Sequence, residues 1–468
     1  MGFTRRANFA TYSKADKKLE QVLGTRDFLA LGVGTIISTS IFTLPGIVAA
    51  EYAGPAVVFS YLIAAVVAGL VAFAYAEMST VMPFAGSAYS WISVLFGEGF
   101  GWIAGWALLA EYFIAVAFVG SGFSATLRNL LGQLHFQVPF ALANPITAGG
   151  FVDIISLLVV AVSALIVWMG ASDAGNVAKV LVVLKVAAII AFIVVGISVI
   201  KPQNYVPFIP AHNAKTGFGG ISGILAGVST IFLAYIGFDS IAANSAEAKN
   251  PQKTMPRGIL GSLVIAVLLF AAVTLVLVGM HPYYAYANQG APVSWALESA
   301  GFGTLSQIVS VVADAGMFVA LLGMVLAGSR LIYAFGRDGM LPSALGKLDK
   351  RGLPSNGLLV ITVVGIVIGA FFPLTFLSQL ISAGTLVAFI FVSLGMFALR
   401  PREGKDLPLA SYKMPFYPIL PALGAIGSVV VFELLDPMAK LYAFLWFILG
   451  VIIYTTYGSK HSKNQVEE

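Results

Sequence analysis

Among the ionisable residues inside long apolar stretches of this sequence, four stand out, and chemistry is to be looked for there first. Lys185 sits between Val180-Leu181-Val182-Val183-Leu184 and Val186-Ala187-Ala188, and Glu111 closes Trp106-Ala107-Leu108-Leu109-Ala110. Asp239 follows Ile236-Gly237-Phe238, and Asp314 follows Val311-Val312-Ala313. A charged side chain at the centre of a membrane helix costs about 2.5–3.5 kcal/mol on insertion scales, so each needs a partner or a task. A deeply placed lysine can exchange a proton, or its flexible stem can snorkel to the interface. Glu111 suits either a proton relay or a protonated acid hydrogen-bonded within a bundle. Asp239 has the position of a helix cap.

Two segments offer backbone chemistry as well. The first is Gly32-Val33-Gly34-Thr35-Ile36-Ile37-Ser38-Thr39-Ser40-Ile41, with Pro45-Gly46 beyond. The second has Gly219, Gly220, Gly223 and Gly227, then Phe232-Leu233-Ala234-Tyr235-Ile236-Gly237. Weak helix formers beside polar residues mark places where a membrane helix can unwind, which is tolerated only where it lines a cavity or site. Unwinding frees N–H groups at the start of the second half-helix, where a carboxylate is favoured. It also frees carbonyls at the end of the first half-helix, which suit an ammonium. A zwitterionic amino acid can be held at both ends this way. Taken singly, the glycines equally suit close helix packing.

Length and composition fix the elements that must carry these groups. Of 468 residues, 59% are hydrophobic and 10% charged, and mean hydropathy is +0.93, far from a soluble chain with roughly 25% charge. Stretches of roughly 17–25 apolar residues span a bilayer. Twelve qualify, at approximately 27–50, 55–78, 98–127, 151–170, 178–200, 219–244, 257–280, 303–332, 357–373, 376–398, 416–436 and 439–457. The ninth is the shortest. With the N-terminus inside, 21 of the 26 Lys and Arg fall in inner segments, four (Arg128, Lys201, Lys215, Lys440) fall outside, and Lys185 is left in a span. That asymmetry is the positive-inside pattern, and it predicts cytoplasmic tails at 1–26 and 458–468. The basic excess answers to an anionic leaflet, not to nucleic acid. Residues 1–26 lack the apolar core of a signal peptide. There is no cysteine and there are four scattered histidines, so metal and redox chemistry drop out and no cofactor is expected. The two breakable spans are the first and the sixth. Their matching positions in two halves predict an inverted-repeat transporter with its site at the midplane.

Four motifs in order make a family visible: LGVGTIISTSIFTLPG (31–46), YAEMSTVMPFAGSAYSW (75–91), IGFDSIAANSAEAKNPQKTMPRGI (236–259) and SRLIYAFGRDGMLP (329–342). Together they resemble the amino acid–polyamine–organocation superfamily across nearly the whole chain. Trp106–Tyr112 and Gly384-Thr385-Leu386-Val387-Ala388-Phe389 resemble its cationic amino acid transporter subgroup. The resemblance implies an all-α polytopic fold, the five-plus-five inverted repeat of the sodium-coupled leucine transporter. Helices 1–5 (27–200) and 6–10 (219–398) would be the repeats, and 11–12 (416–457) accessory. It assigns a substrate carboxylate to the amides of Thr39, Ser40 and Ile41, beside Ile37 and Ser38. The substrate amine would go to carbonyls at Ile36, Phe232 and Leu233 or Ile236, with Ala234 between. The family usually has glycine where this chain has Ser38 and Ser40, so their hydroxyls can join the backbone. Lys185 would occupy the place of a sodium ion between helices 1, 5 and 8, which favours protons as the driving ion. Glu111 would be its relay or gating partner. Met317, Leu321 and Met324 share one face of helix 8; as that helix lines the site in relatives, Met317 and Met324 either shorten the pocket or pack the core.

The expected activity is therefore proton-coupled uptake of a small neutral L-amino acid such as alanine across the plasma membrane. An exchanger, a cationic amino acid transporter and a sodium symporter are the transport alternatives. A membrane sensor would need a signalling appendage, an enzyme a reactive constellation and a primary pump a P-loop; the sequence presents none. Accessory subunits are left open.

Overall fold

The computed structural model describes residues 3–10, 21, 23–84, 86–169 and 174–462. Of the charges counted above, Lys14, Lys17, Lys18 and Lys463 lie outside them. Apolar stretches of this length have one outcome in a bilayer: each backbone polar group must be paired within its own segment, so they are helical. The order is α1 (Thr25–Ile36), α2 (Thr39–Val48), α3 (Val57–Val81), α4 (Ala88–Leu95), α5 (Glu98–Gln133), α6 (Ile154–Met169), α7 (Ala174–Ile197) and α8 (Gly220–Ile231). There follow α9 (Phe238–Ala243), α10 (Pro251–Met280), α11 (Pro292–Ser299), α12 (Gly303–Arg337), α13 (Ser355–Phe371), α14 (Leu374–Leu399), α15 (Ile419–Glu433) and α16 (Pro437–Ile453).

Among the described residues, eight helical stretches are long and apolar enough to cross a membrane, and three shorter apolar helices are α6, α13 and α15. The first stretch, Thr25–Val81, is a hairpin that crosses twice. Gly54 turns it at φ +60°. Both of its ends reach one face, where Leu23 bridges Ala248 and Ser245 Oγ donates to the Phe84 carbonyl at 3.2 Å. This accounts for the twelve expected crossings, with α1–α2 as the first and α8–α9 as the sixth.

Both expected interruptions exist, the first past Gly32 and Gly34 and the second at Gly237, past the glycines of 219–227. The first span breaks at Ile37 (ψ 71°) and Ser38 (φ −106°, ψ −132°). The sixth passes through a 3₁₀ turn at Phe232–Tyr235, extends at Ile236 and turns at Gly237 with φ +132°. Gly32 and Gly227 serve packing, as small residues do in membranes. A Cβ at Gly32 would overlap Ser262 and Ile241, and one at Gly227 would press on Ser60 Oγ at 2.7 Å. The breaks fall at the polar run Ser38-Thr39-Ser40 and at Gly237, one turn or more beyond Gly32 and Gly227.

Two short helices escaped the sequence reading because neither can span. Every residue of α4 is buried, and α11 packs against α2 and α12. The segment read as a soluble N-terminal tail is partly built into the structure. The Glu98 and Gly99 amides donate to the Arg5 and Phe3 carbonyls at 2.7 and 3.0 Å, the Ala7 amide donates to Ser93, and the Phe3 ring meets Tyr454 edge-on. Its aromatic residues recoup burial that its charges concealed in the composition.

Candidate functional site

The two breaks face each other. Thr35 Oγ1 donates to the Gly237 carbonyl at 3.3 Å, and a Cβ on Gly237 would lie 3.0 Å from the Ile36 amide nitrogen. Beyond the first break α2 begins at Thr39, so the amides of Thr39, Ser40 and Ile41 belong to its first turn, where N–H groups lack intrahelical acceptors. Thr39 is seated against α5, where a Cβ at Gly122 would overlap its side chain. Thr39, Ser40 and Ile41 are all buried, as are Phe232, Leu233, Ala234 and Ile236 across the gap. These are the residues that the resemblance groups around a zwitterion, and the fold brings them to one place.

From the breaks a cavity of about 790 Å³ runs to the face that carries most of the basic residues. Ser38, Leu233, Ile236 and Gly237 line its inner end, Glu111 and Met324 its wall, and Lys179, Arg330 and Arg351 its mouth. Met324 thus borders open space. Met317 does not line the cavity and is wholly enclosed, as is Leu321. Of the helix 8 methionines only Met324 is placed to limit a ligand.

Lys185 is buried, at 3% exposure, and its stem turns inward. Its Nζ donates to the Ile37 carbonyl at 2.9 Å and to the Gly34 carbonyl at 3.3 Å. On its other side lies Gly316 of α12, where a Cβ would overlap the lysine stem and sit 3.0 Å from Nζ. The ammonium therefore ties α1, α7 and α12 together at the break, which is incompatible with snorkelling to the interface.

Glu111 is equally enclosed. Its Oε2 accepts from Thr385 Oγ1 at 2.6 Å, and its carboxyl is within hydrogen-bonding reach of Asp239. Asp239 Oδ1 also accepts from the Gly237 amide at 3.0 Å, but the cap position of α9 expected of Asp239 is held by Gly237. Asp314 is buried with neither oxygen partnered among the described residues, and the cavity does not reach it.

Sequence reasoning missed Thr385, Gly316 and the Asp239 contact as parts of the site. Thr385 and Glu111 lie 274 positions apart. A signal was present nonetheless: the two segments that carry the subgroup resemblance touch each other. Gly384 leaves room for α14 to approach α5, since a Cβ there would sit 3.1 Å from the Ala107 carbonyl. Trp106 is locked by a reciprocal pair with Trp446, each indole donating to the other's carbonyl at 2.8 and 2.9 Å.

The family described as "Amino acid permease" matches residues 23–457, which takes in every crossing. The chain belongs to that family. It is a multi-pass membrane transporter of amino acids and not an enzyme, a member of the superfamily that its motifs resemble. It is 73% identical to the branched-chain amino acid permease BcaP of Lactococcus lactis subsp. cremoris (strain MG1363), over 99% of this chain and 100% of that protein. It is 36% identical to the methylthioribose transporter of Bacillus subtilis (strain 168), over 95% of each. With the vacuolar cationic amino acid transporter 4 of Arabidopsis thaliana the identity is 32%, over 84% of this chain and 66% of the relative.

Proposed function

We propose that the protein takes up a neutral aliphatic L-amino acid across the plasma membrane, driven by protons, with both termini cytoplasmic. The observation that carries the coupling is the Lys185 ammonium on the Ile37 and Gly34 carbonyls. A positive charge held there bridges the broken first span to α7 and α12, and loss of its proton removes the bridge. Release of a cation from the same place would do the same, so the lysine makes sodium unnecessary. Residues 27–200 and 219–398 are the two repeats, and each contributes one break to the site. The substrate carboxylate sits on the first-turn amides of α2 and the amine on carbonyls of Ile36, Phe232 and Leu233 or Ile236, so backbone alone holds the zwitterion.

The side chain then selects. The sequence expectation of alanine assumed that methionines shorten the pocket. With Met317 enclosed and only Met324 at the cavity wall, a branched side chain has room, in keeping with the branched-chain amino acids for which the relative at 73% identity is named. No carboxylate is free for a cationic side chain at the breaks, because Asp239 is engaged with Gly237 and Glu111. The preference is therefore leucine, isoleucine and valine over alanine, with lysine and arginine excluded.

Proteoliposomes test this with labelled leucine in sodium-free buffer. An inside-alkaline gradient should drive accumulation, unlabelled isoleucine and valine should compete better than alanine, and arginine should not compete. Accumulation that requires sodium, or arginine as the strongest competitor, overturns the reading. Counterflow without any gradient-driven uptake would favour the exchanger.

A further inference from the structure

The two helices α6 and α7 are consecutive, yet along their described residues they barely touch; each packs on α12 instead. Between them the cavity extends sideways. Ile166 and Val167 of α6 form one wall, Leu181 and Val182 of α7 the other, and Val319 and Gly323 of α12 the floor. The floor is open at Gly323, where a Cβ would meet nothing within 4 Å. The outer edges of both walls are exposed and apolar: Leu165 (51%) and Met169 (58%) on α6, Val180 (61%) and Val183 (68%) on α7. In a membrane protein such edges face hydrocarbon, so the crevice opens into the bilayer rather than into water.

Its basic end is chemically different. Lys179, Arg330 and Arg351 line the mouth together with the carboxylate of Asp27, while the other lining carboxyls, Glu111 and Asp239, lie deeper on the cavity wall. Asp27 is paired with Lys179 at 2.6 Å, and Arg351 has Asp349 at 3.3 Å. Arg330 has no carboxylate partner among the described residues. The Arg351 guanidinium also lies 4.9 Å over the Trp168 ring. A half-exposed tryptophan stacked under an arginine marks the headgroup level of a bilayer. From Val319 on the floor to Arg330 at the mouth is about 16 Å along α12, a length set by the helix rise.

We propose that this crevice is a binding site for an anionic glycerophospholipid of the inner leaflet. One acyl chain lies between α6 and α7 on the Gly323 floor, and the phosphate sits among Arg330, Lys179 and Arg351. Basic pockets between membrane helices recognise anionic headgroups in this manner. A neutral lipid could fill the apolar part, but it would leave the Arg330 charge unanswered. The lipid chain would complete a wall of the same cavity that reaches the breaks, and it would brace α7, which carries Lys185.

The test is lipid retention and needs no transport assay. The full chain is reconstituted with equimolar phosphatidylglycerol and phosphatidylcholine of the same acyl chains, re-extracted, and its bound lipid read by native mass spectrometry. Phosphatidylglycerol should be enriched about tenfold over phosphatidylcholine. The triple substitution Lys179→Gln, Arg330→Gln and Arg351→Gln should abolish the enrichment. The equally charge-depleted Lys253→Gln, Lys405→Gln and Lys413→Gln, on the basic face but outside the crevice, should keep it. Gly323→Leu tests the other half of the site, because it fills the floor and leaves every charge, and it should displace the bound lipid. If the mouth variant does not fold, the Gly323→Leu arm still decides. Equal retention of the two lipids by the wild type, enrichment that survives the mouth or floor substitution, or enrichment lost in the control triple would overturn the proposal.

Discussion

Gly316 shows how a residue without a side chain can govern one that carries charge. The Lys185 stem passes through the space its Cβ would fill, and α12 has no other way to bring its backbone so close. Gly316→Ala leaves the lysine in place in sequence and forces its ammonium off the Ile37 carbonyl. The expected outcome is the phenotype of Lys185→Ala: leucine binding within a few-fold of wild type by thermal stabilisation, with gradient-driven accumulation lost in sodium-free proteoliposomes. Unchanged accumulation in Gly316→Ala would mean that the seat is dispensable. Glu111 poses a sharper question of protonation. In Glu111→Gln the amide can still accept from Thr385 and donate to Asp239, so the contact geometry is preserved. What it cannot do is gain or lose a proton. If the pair relays protons, uptake driven by the gradient should fall at least tenfold while counterflow persists; near wild-type uptake would make Glu111 a structural acid.

At the scale of elements, the half-helices define the site, and they were only partly legible in the sequence. That the first and sixth spans would break could be read from polar residues in an apolar stretch, since a run such as Ser38-Thr39-Ser40 has no reason to face lipid. Where they would break came from the resemblance, which groups residues 36–41 with 232–236, and not from the glycines alone. Gly32 and Gly227 look like breakers and are packing surfaces, because a glycine's freedom and its small size are indistinguishable in a string of letters. The contacts that complete the site were less legible still. Glu111 meets Thr385 and Asp239 from three different helices, and pairings between distant segments leave no local period to detect. The short α4 and the docked residues 3–10 were invisible because a span-length criterion ignores whatever cannot cross. Gly237 is the position where element geometry is most exacting. At φ +132°, with a Cβ only 3.0 Å from the Ile36 amide, any side chain both strains the backbone and pushes the two breaks apart. Strain of this kind costs about 1–3 kcal/mol. Gly237→Ala should therefore weaken leucine binding at least tenfold while the helical far-UV signal is retained. Wild-type affinity in that variant would place the substrate away from the second break.

For the whole molecule, the relevant asymmetry is between its two ends. The cavity of about 790 Å³ reaches from the breaks to the basic face. Toward the opposite end lies a pocket of about 200 Å³, walled by Arg128, Asn144 and Thr375, whose lining includes none of the break residues. Buried Thr39 and Ser40 lie between the two. The breaks are thus open toward the basic face and covered on the other side, the arrangement an alternating-access cycle would have in one of its states. The absence of cysteine from the sequence makes the claim directly measurable. Ala327, on the cavity wall, and Thr375, in the opposite pocket, can each be replaced by the single cysteine of an otherwise unchanged chain. With the basic face cytoplasmic, a membrane-impermeant maleimide added to intact cells should modify Thr375→Cys and spare Ala327→Cys; inside-out vesicles should show the reverse. Substrate and a proton gradient together should then slow labelling of Ala327→Cys from the inner side, because part of the population is drawn into the outward-open state. A molecule whose Ala327→Cys reacts from both sides at rest would be a continuous pore. One whose labelling is reversed between cells and vesicles would have its termini outside, and the charge asymmetry of its loops would then need another cause.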